Sequence, residues 1–169
     1  IWHTTGSGKT MSSFKAAQLI SRRKDADKVI FLLDRIELGK QSLEEYQNFA
    51  DSKDDVQATE NTAILLAKLK SKQDRDRLIV TSIQKMSNIK AEEGVNEADI
   101  EQISGKRLVF IIDEAHRTTF GDMLLTIKHT FPNAIFFGFT GTPIEEENAK
   151  KSSTTATVFG NELHRYSIA

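Results

Sequence analysis

Four continuous apolar runs constrain the fold of this chain more than any other feature. The runs, each predicted to be a β-strand, span residues 28–33, 78–80, 108–112 and 134–139. Because apolar residues follow one another in these runs instead of alternating with polar ones, both faces of each strand are predicted to be buried. That pattern is typical of a mainly parallel sheet with helices on both faces.

Helical patterns separate the predicted strands. Apolar residues recur at helical spacing in segments 10–22, 37–49, 60–69 and 121–131. Alternating strands and helices predict an α/β domain of three layers with right-handed crossovers, in which ligands bind beyond the carboxyl ends of the strands. The acidic, polar segments 51–60 and 91–102 are predicted to be looser, solvated surface.

Length and composition narrow the classes of function. The 169 residues suit one domain, and the formal net charge of −1 means that any contact with DNA must come from a local patch. The sequence has no cysteine, which removes disulfides and thiolate metal sites and fits a cytoplasmic location. No apolar run approaches the length that spans a membrane, so no membrane partner is predicted.

A glycine-rich loop at residues 4–10 predicts a nucleotide site. Gly6 and Gly8 allow the backbone to approach phosphates closely, and Lys9 places a positive charge at the β- and γ-phosphates. The Thr10 hydroxyl is a candidate ligand of Mg²⁺, and the positive end of the following helix adds to phosphate binding. The residues predicted to bind ATP are Thr5, Gly6, Ser7, Gly8, Lys9 and Thr10.

His3 departs from the common form of this loop, because it stands where the first glycine is expected. Histidine tolerates the left-handed region better than most residues, so the turn is still predicted. The alternative is a surface turn rich in glycine, serine and threonine before a helix. Since only Ile1 and Trp2 precede the loop, we expect the chain to lack most of its first strand.

Two carboxylates end the apolar run 108–112. Asp113 is predicted to hold Mg²⁺, and Glu114 to orient or deprotonate the attacking water. His116 is predicted to link the site to a neighbouring element by hydrogen bonds. The alternative for this segment alone is a strand capped by a polar turn with a surface histidine. The phosphate loop upstream favours the catalytic interpretation.

Hydroxyl groups end the last predicted strand. Thr140 and Thr142 flank a glycine there, and their hydroxyls are predicted to bond to His116 or Glu114 and so to sense the state of the nucleotide. A simple Gly-Pro turn is the alternative.

The turns after the first two complete strands carry candidate contacts to DNA phosphates. Hydroxyl, amide and basic groups there suit phosphate binding without reading of bases. The alternative is that Asp34 and Ser82 cap the helices that follow, and the sequence leaves both interpretations open. The candidate DNA-contact residues are Arg35, Thr81, Gln84 and Lys85.

The order of these motifs resembles the first RecA-like domain of superfamily 2 helicases and translocases of the DEAH-box kind. Those motifs are Gly-Ser-Gly-Lys-Thr at 6–10, Asp-Glu-Ala-His at 113–116 and Thr-Gly-Thr-Pro at 140–143. Segment 2–10, with His3 in place of glycine, is more narrowly similar to the motor (restriction) subunit of type I restriction-modification enzymes. Asp34-Arg35 and the closing Val-Phe-Gly at 158–160 are similar too.

That resemblance implies an ATP-dependent translocase with Mg²⁺ as its metal, part of a type I site-specific deoxyribonuclease. Such an enzyme pumps double-stranded DNA toward itself and then cuts, in a complex with methylation and specificity subunits, in the cytoplasm of a bacterium or archaeon. The resemblance also implies that Lys9, Thr10, Asp113 and Glu114 serve ATP hydrolysis. It implies further that Thr140 and Thr142 couple hydrolysis to movement.

The expected organisation is a first motor domain over residues 1–150 and a lead-out over 151–169 toward a second RecA-like domain that this chain lacks. We find neither an arginine finger nor a trustworthy nuclease constellation, so this chain alone is not expected to translocate or cut. Two alternatives stay open. One is another superfamily 2 enzyme, such as an RNA helicase or repair translocase; the other is a non-enzymatic P-loop module.

Overall fold

A parallel β-sheet forms the centre of the structure, a computed structural model that describes residues 1–3, 9–33, 57–59, 61–113, 120–140, 163 and 165–166. The strands are β1 (Trp2–His3), β2 (Lys28–Leu33), β3 (Gln57–Ala58), β4 (Leu78–Ser82), β5 (Leu108–Ile112), β6 (Ile135–Gly138) and β7 (Arg165–Tyr166). Five of them form one sheet in the order β3-β4-β2-β5-β6, and every neighbouring pair in it is parallel.

Helices connect these strands. They are α1 (Lys9–Arg23), α2 (Thr62–Lys70), α3 (Ile83–Ser87), α4 (Glu97–Ser104) and α5 (Phe120–Thr130), with short 3₁₀ turns at Asp74–Asp76 and Ile89–Ala91. The predicted strands at 28–33 and 108–112 are confirmed at both ends; apolar residues follow one another without interruption over 29–33 and 108–112. Three of the four predicted helices are confirmed to within two residues, and the fourth, at 37–49, lies outside the described residues.

The prediction of loose surface was wrong for α4 and β3. Asn96 begins α4 with a capping box: its side chain accepts from the Asp99 N–H at 2.9 Å, and the Asp99 side chain accepts from the Asn96 N–H. Ile100 and Ile103 bury one face of this otherwise acidic helix. Strand β3 is only two residues long and exists through its pairing with β4, which a local pattern does not reveal.

Two apolar cores flank the sheet and confirm that both of its faces are covered. Successive residues of β2 point to opposite faces, so Ile30 packs with α2–α5 and Phe31 packs with α1. On the α1 side, the rings of Phe14 and Phe31 meet edge to face at 5.8 Å. On the other side, Phe110 of β5 stacks on Phe136 of β6 at 4.8 Å. The result is the predicted three-layer α/β arrangement.

The chain's first residues continue the sheet past β6. The nitrogen of Ile1 donates to the Gly138 carbonyl at 2.8 Å, and the Thr140 N–H donates to the Ile1 carbonyl at 3.1 Å. Strand β1 in turn pairs in parallel with β7. Part of the segment predicted as a lead-out therefore lies beside β1, while the division into 1–150 and 151–169 stays a prediction.

Lys28, the first residue of β2, is a buried cation. Its side chain is 2% exposed, and its Nζ donates to the Asp76 carbonyl at 2.5 Å. Burial first, and then the neighbouring charge of Lys106, lower the pKa of Lys28 from 10.5 to about 8. The folded protein therefore stabilises the neutral amine relative to the unfolded chain.

We expect Lys28→Met to be more stable than wild type by about 2 kcal/mol at neutral pH, because it removes the buried charge and loses only one hydrogen bond. Between the folded pKa of about 8 and the ordinary value of 10.5, the unfolded chain binds more protons than the folded one. The wild type therefore gains stability as pH rises through this window, and the advantage of the variant shrinks. Urea unfolding at several pH values measures it; an advantage that does not change with pH would contradict the buried-charge argument.

Candidate nucleotide site

Asp113 lies at the carboxyl edge of the sheet, directly after β5. Its side chain is buried, at 4% exposure, and its N–H donates to the Leu32 carbonyl of β2 at 3.2 Å. The backbone of Asp113 is therefore held by the neighbouring strand. Ligands of open parallel sheets bind at this edge, so the Asp113 carboxylate lies where a ligand is expected.

Thr140 follows β6 at the same edge, on the other side of β5. The Phe139 N–H donates to the Ile112 carbonyl at 2.8 Å, and the Thr140 side chain is 3% exposed. Because the Thr140 N–H bonds to Ile1, this residue lies between the strand that carries Asp113 and the strand β1. The structure thus brings two of the three predicted motifs to adjacent strand ends.

The two ends of the phosphate loop reach this edge as well. Ile1 receives a hydrogen bond from Thr140 and donates one to Gly138, which is the pattern of parallel neighbours, so β1 runs in the same direction as β6. The chain therefore leaves β1 at the carboxyl edge and returns as α1, whose backbone begins at Lys9. Residues 4–8, between these two points, lie outside the described residues.

Several predicted site residues are placed only in part. The backbones of Lys9 and Thr10 form the first turn of α1, where free N–H groups and the helix dipole favour an anion. The predicted residues outside the described part of the chain are Thr5, Gly6, Ser7, Gly8, Arg35, Glu114, His116 and Thr142.

The turn after β4 forms a polar cluster. Thr81 is 1% exposed, and its hydroxyl accepts a 2.8 Å hydrogen bond from Thr59. The Lys85 Nζ donates to the Thr59 carbonyl at 2.6 Å, and the Ser82 hydroxyl accepts from the Lys85 N–H at 3.3 Å. Ser82 therefore caps α3, which is the helix-capping alternative proposed for this turn. Gln84 is exposed.

Thr59 is a residue that the sequence did not single out. It lies just after β3 in a segment predicted to be loose, and nothing in its local sequence predicts that it joins Thr81 to Lys85. Its role arises only because β3 pairs with β4. The cluster holds the turn that presents Gln84 and Lys85 at the carboxyl edge.

The metal chemistry of this edge rests on a single described carboxylate. Within the described ranges there is no group of three or more histidine, cysteine, aspartate or glutamate side chains able to hold a metal ion. Mg²⁺ commonly takes one or two carboxylates and completes its shell with phosphate oxygens and water. Asp113 therefore fits a magnesium ion that arrives with a nucleotide.

The sequence profile of the SWI2/SNF2 ATPase family matches residues 1–169. The type I restriction enzyme SsaAORF53P endonuclease subunit of Staphylococcus saprophyticus is 52% identical over 169 residues, which cover 99% of this chain and 17% of that protein. The C-terminal part of the putative MpnIIP endonuclease subunit of Mycoplasma pneumoniae is 41% identical over 131 residues, covering 78% of this chain and 62% of that protein. The predicted resemblance to type I restriction subunits is confirmed.

Solved structures share the fold at low identity. A nuclease-deletion mutant of the type ISP restriction-modification enzyme LlaGI, in complex with a DNA substrate mimic, superimposes with a TM-score of 0.65 at 18% identity, covering 99% of this chain and 17% of that one. The UvsW helicase of bacteriophage T4 superimposes with a TM-score of 0.58 at 15% identity, covering 88% of this chain and 48% of that one. These neighbours confirm the predicted α/β class with a RecA-like fold. No helix among the described residues is long and apolar enough to cross a membrane.

Proposed function

Because this chain belongs to the SWI2/SNF2 ATPase family, we propose that it binds ATP with Mg²⁺ and hydrolyses it as the motor domain of a type I restriction subunit. Hydrolysis drives the translocation of double-stranded DNA before cleavage. The chain spans 17% of the length of its Staphylococcus relatives, so the activity of a whole protein is part of the proposal.

One geometric observation supports the proposal most strongly. Asp113, Thr140 and the end of β1 lie on successive neighbouring strands at one edge of the sheet, joined by backbone hydrogen bonds. The chain leaves β1 at this edge, one strand away from the strand that ends at Asp113. This arrangement supports a site in which one ion contacts both a bound phosphate and an aspartate, directly or through water.

The proposed division of labour follows from the chemistry of each group. The backbone of residues 5–8, with Lys9, binds the phosphates, while Thr10 and Asp113 hold Mg²⁺. When bound, the ion neutralises charge on the phosphate oxygens. Glu114 orients the attacking water. His116, Thr140 and Thr142 transmit the state of the nucleotide to the rest of the motor.

Contacts with DNA are proposed for the turns at the same edge. Arg35, Gln84 and Lys85 bind backbone phosphates, and the buried Thr81 acts by holding Thr59 and thereby Lys85 in place. Methylation and specificity subunits are the proposed protein partners. A cytoplasmic location completes this proposal.

The test is ATP hydrolysis by the whole protein with and without double-stranded DNA. We expect Lys9→Ala to lower the DNA-stimulated rate by at least ~100-fold, because the charge that Lys9 supplies to the transferring phosphate is lost. Lys90→Ala, which removes an exposed lysine from a 3₁₀ turn, is the matched control and should retain the rate. Unchanged hydrolysis in Lys9→Ala would refute the phosphate-loop assignment, and stimulation by single-stranded RNA in place of duplex DNA would favour another superfamily 2 activity.

A further inference from the structure

A cavity of about 280 Å³ opens at the amino edge of the sheet, the edge opposite Asp113. It lies between the last turns of α1 and the 3₁₀ turn that leads into β4. The residues that determine its chemistry are Gln18, Arg22, Lys24, Asp74, Arg75 and Arg77.

Positive charge dominates this cavity. Four cationic side chains line it against the single carboxylate of Asp74. Both oxygens of that carboxylate are already engaged, one 3.3 Å from the Lys24 Nζ and the other bonded to Arg77. The bond to Arg77 has the larger effect and the bond to Lys24 the smaller, and both lower the pKa of Asp74, which therefore carries its charge at neutral pH. The cavity nevertheless keeps a net positive charge.

Gln18 supplies a second, independent observation. Its side chain is 2% exposed, and its Oε1 accepts a 3.3 Å hydrogen bond from the Lys15 Nζ. Its Nε2 lacks a hydrogen-bond partner among the described residues. A buried donor without a partner costs free energy, and such groups are rare unless a ligand or water satisfies them. The unsatisfied group in the lining of this cavity is the N–H donor of Gln18, and an anion would supply the acceptor that it lacks.

A neighbouring cavity of about 270 Å³ shares Arg77 and strengthens the positive potential. It is lined by Lys28, Lys72 and Lys106 together with Asp27. There, however, two of the three lysines have structural roles: Lys106 donates to three carbonyls at the end of α2, and Lys28 donates to a carbonyl before β4. Among the described residues, the buried side-chain donor without a partner lies in the other cavity, at Gln18.

We propose that this cavity binds a phosphate-bearing anion at the edge of the sheet opposite the nucleotide site. Arginine side chains present paired donors that match phosphate oxygens, and several of them around one concave site give charge-assisted hydrogen bonds. Gln18 contributes its free amide donor. The phosphate comes either from the backbone of DNA or from a free nucleotide or polyphosphate.

The experiment uses the whole protein with its nucleotide site saturated by Mg-ADP, and compares Arg75→Gln with Arg23→Gln. Arg75 is exposed, lines the cavity and makes no side-chain bond with the described residues, whereas Arg23 is exposed at the same edge, pairs with Asp25 at 3.3 Å and does not line it. One probe is inorganic pyrophosphate, followed by calorimetry. The other is a labelled DNA duplex, titrated over a range of salt concentrations.

If the phosphate is free, Arg75→Gln should weaken pyrophosphate binding by about 10-fold and leave DNA binding unchanged. If it belongs to DNA, Arg75→Gln should reduce the slope of log affinity against log salt by about 0.9, as expected for one lost phosphate contact. Arg23→Gln should bind pyrophosphate with the wild-type affinity in the first case and show the wild-type salt slope for DNA in the second. Equal behaviour of the two variants with both probes would overturn the proposal.

A second variant separates binding from folding. Gln18→Met removes the unpartnered donor while preserving the shape of the side chain, so it should raise the thermal unfolding midpoint of the ligand-free protein and weaken the same probe. A lower midpoint would mean that the Gln18 amide is already satisfied within the fold and would remove the second support for the site. None of these measurements involves ATP hydrolysis, so their results are independent of the test of the proposed motor function.

Discussion

Asp113→Asn is expected to lower the rate of DNA-stimulated ATP hydrolysis by at least ~100-fold, which corresponds to about 2.7 kcal/mol of transition-state stabilisation. Asparagine keeps the shape of the side chain but loses the negative charge that the proposed magnesium ion requires. Because the phosphate loop has its own contacts with the nucleotide, we expect nucleotide binding without metal to weaken much less than hydrolysis. Steady-state hydrolysis and titration with a fluorescent ATP analogue measure the two effects separately.

The burial of Asp113 makes a structural control necessary. Its backbone N–H bonds to Leu32, and asparagine leaves that bond intact, so the unfolding midpoint should change little. Asp25→Asn, an exposed aspartate at the amino edge, is the matched charge control and should hydrolyse ATP at the wild-type rate. If Asp113→Asn hydrolyses ATP normally while remaining folded, Asp113 is not the metal-binding carboxylate.

Phe110→Ala is expected to reduce the free energy of unfolding by about 3–5 kcal/mol, the largest effect on stability that we predict. Phe110 is fully buried in β5, stacked on Phe136 at a centroid distance of 4.8 Å and an interplanar angle of 7°. The ring of Phe131 lies 5.9 Å away on the same side. Alanine removes both ring contacts and leaves a cavity between the sheet and α5, and urea unfolding measures the loss.

Two further variants define the expected range for that measurement. Phe110→Leu fills part of the same space and should cost less than alanine does. Leu125→Ala removes a side chain that is 44% exposed on α5 and should change stability by no more than about 0.5 kcal/mol. A loss below about 1 kcal/mol in Phe110→Ala would show that this aromatic cluster relaxes around the vacancy or contributes little to the core.

The stability prediction also concerns the candidate site. Phe110 and Asp113 belong to the same short segment, and β5 lies between β2 and β6 in the sheet. Packing on one side of β5 therefore supports the position of the carboxylate at its end. We expect destabilised Phe110 variants that remain folded to retain ATP hydrolysis, because the backbone bonds that hold Asp113 and Thr140 are unchanged.

The amino-acid sequence was enough to predict the class of fold, which the structure confirms, and to propose the residues of the site. The ends of strands β2 and β5 could be predicted because burial on both faces favours an unbroken apolar run, and the polar residues that follow mark where each strand leaves the core. The carboxylate of Asp113 and the glycine-rich loop before Lys9 could be recognised for a similar reason. Their chemistry depends on residue types at a fixed local spacing.

Which of these segments are neighbours follows from the tertiary structure alone. Ile1 and Gly138 are 137 positions apart, yet their hydrogen bond places β1 beside β6, so that the chain leaves β1 at the edge that holds Asp113. Strand β3, the link from Thr59 to Lys85, and the basic cavity around Gln18 likewise join segments that are distant in sequence. Strand pairing and side-chain burial are properties of residues brought together by folding, so no local pattern of residue types contains them.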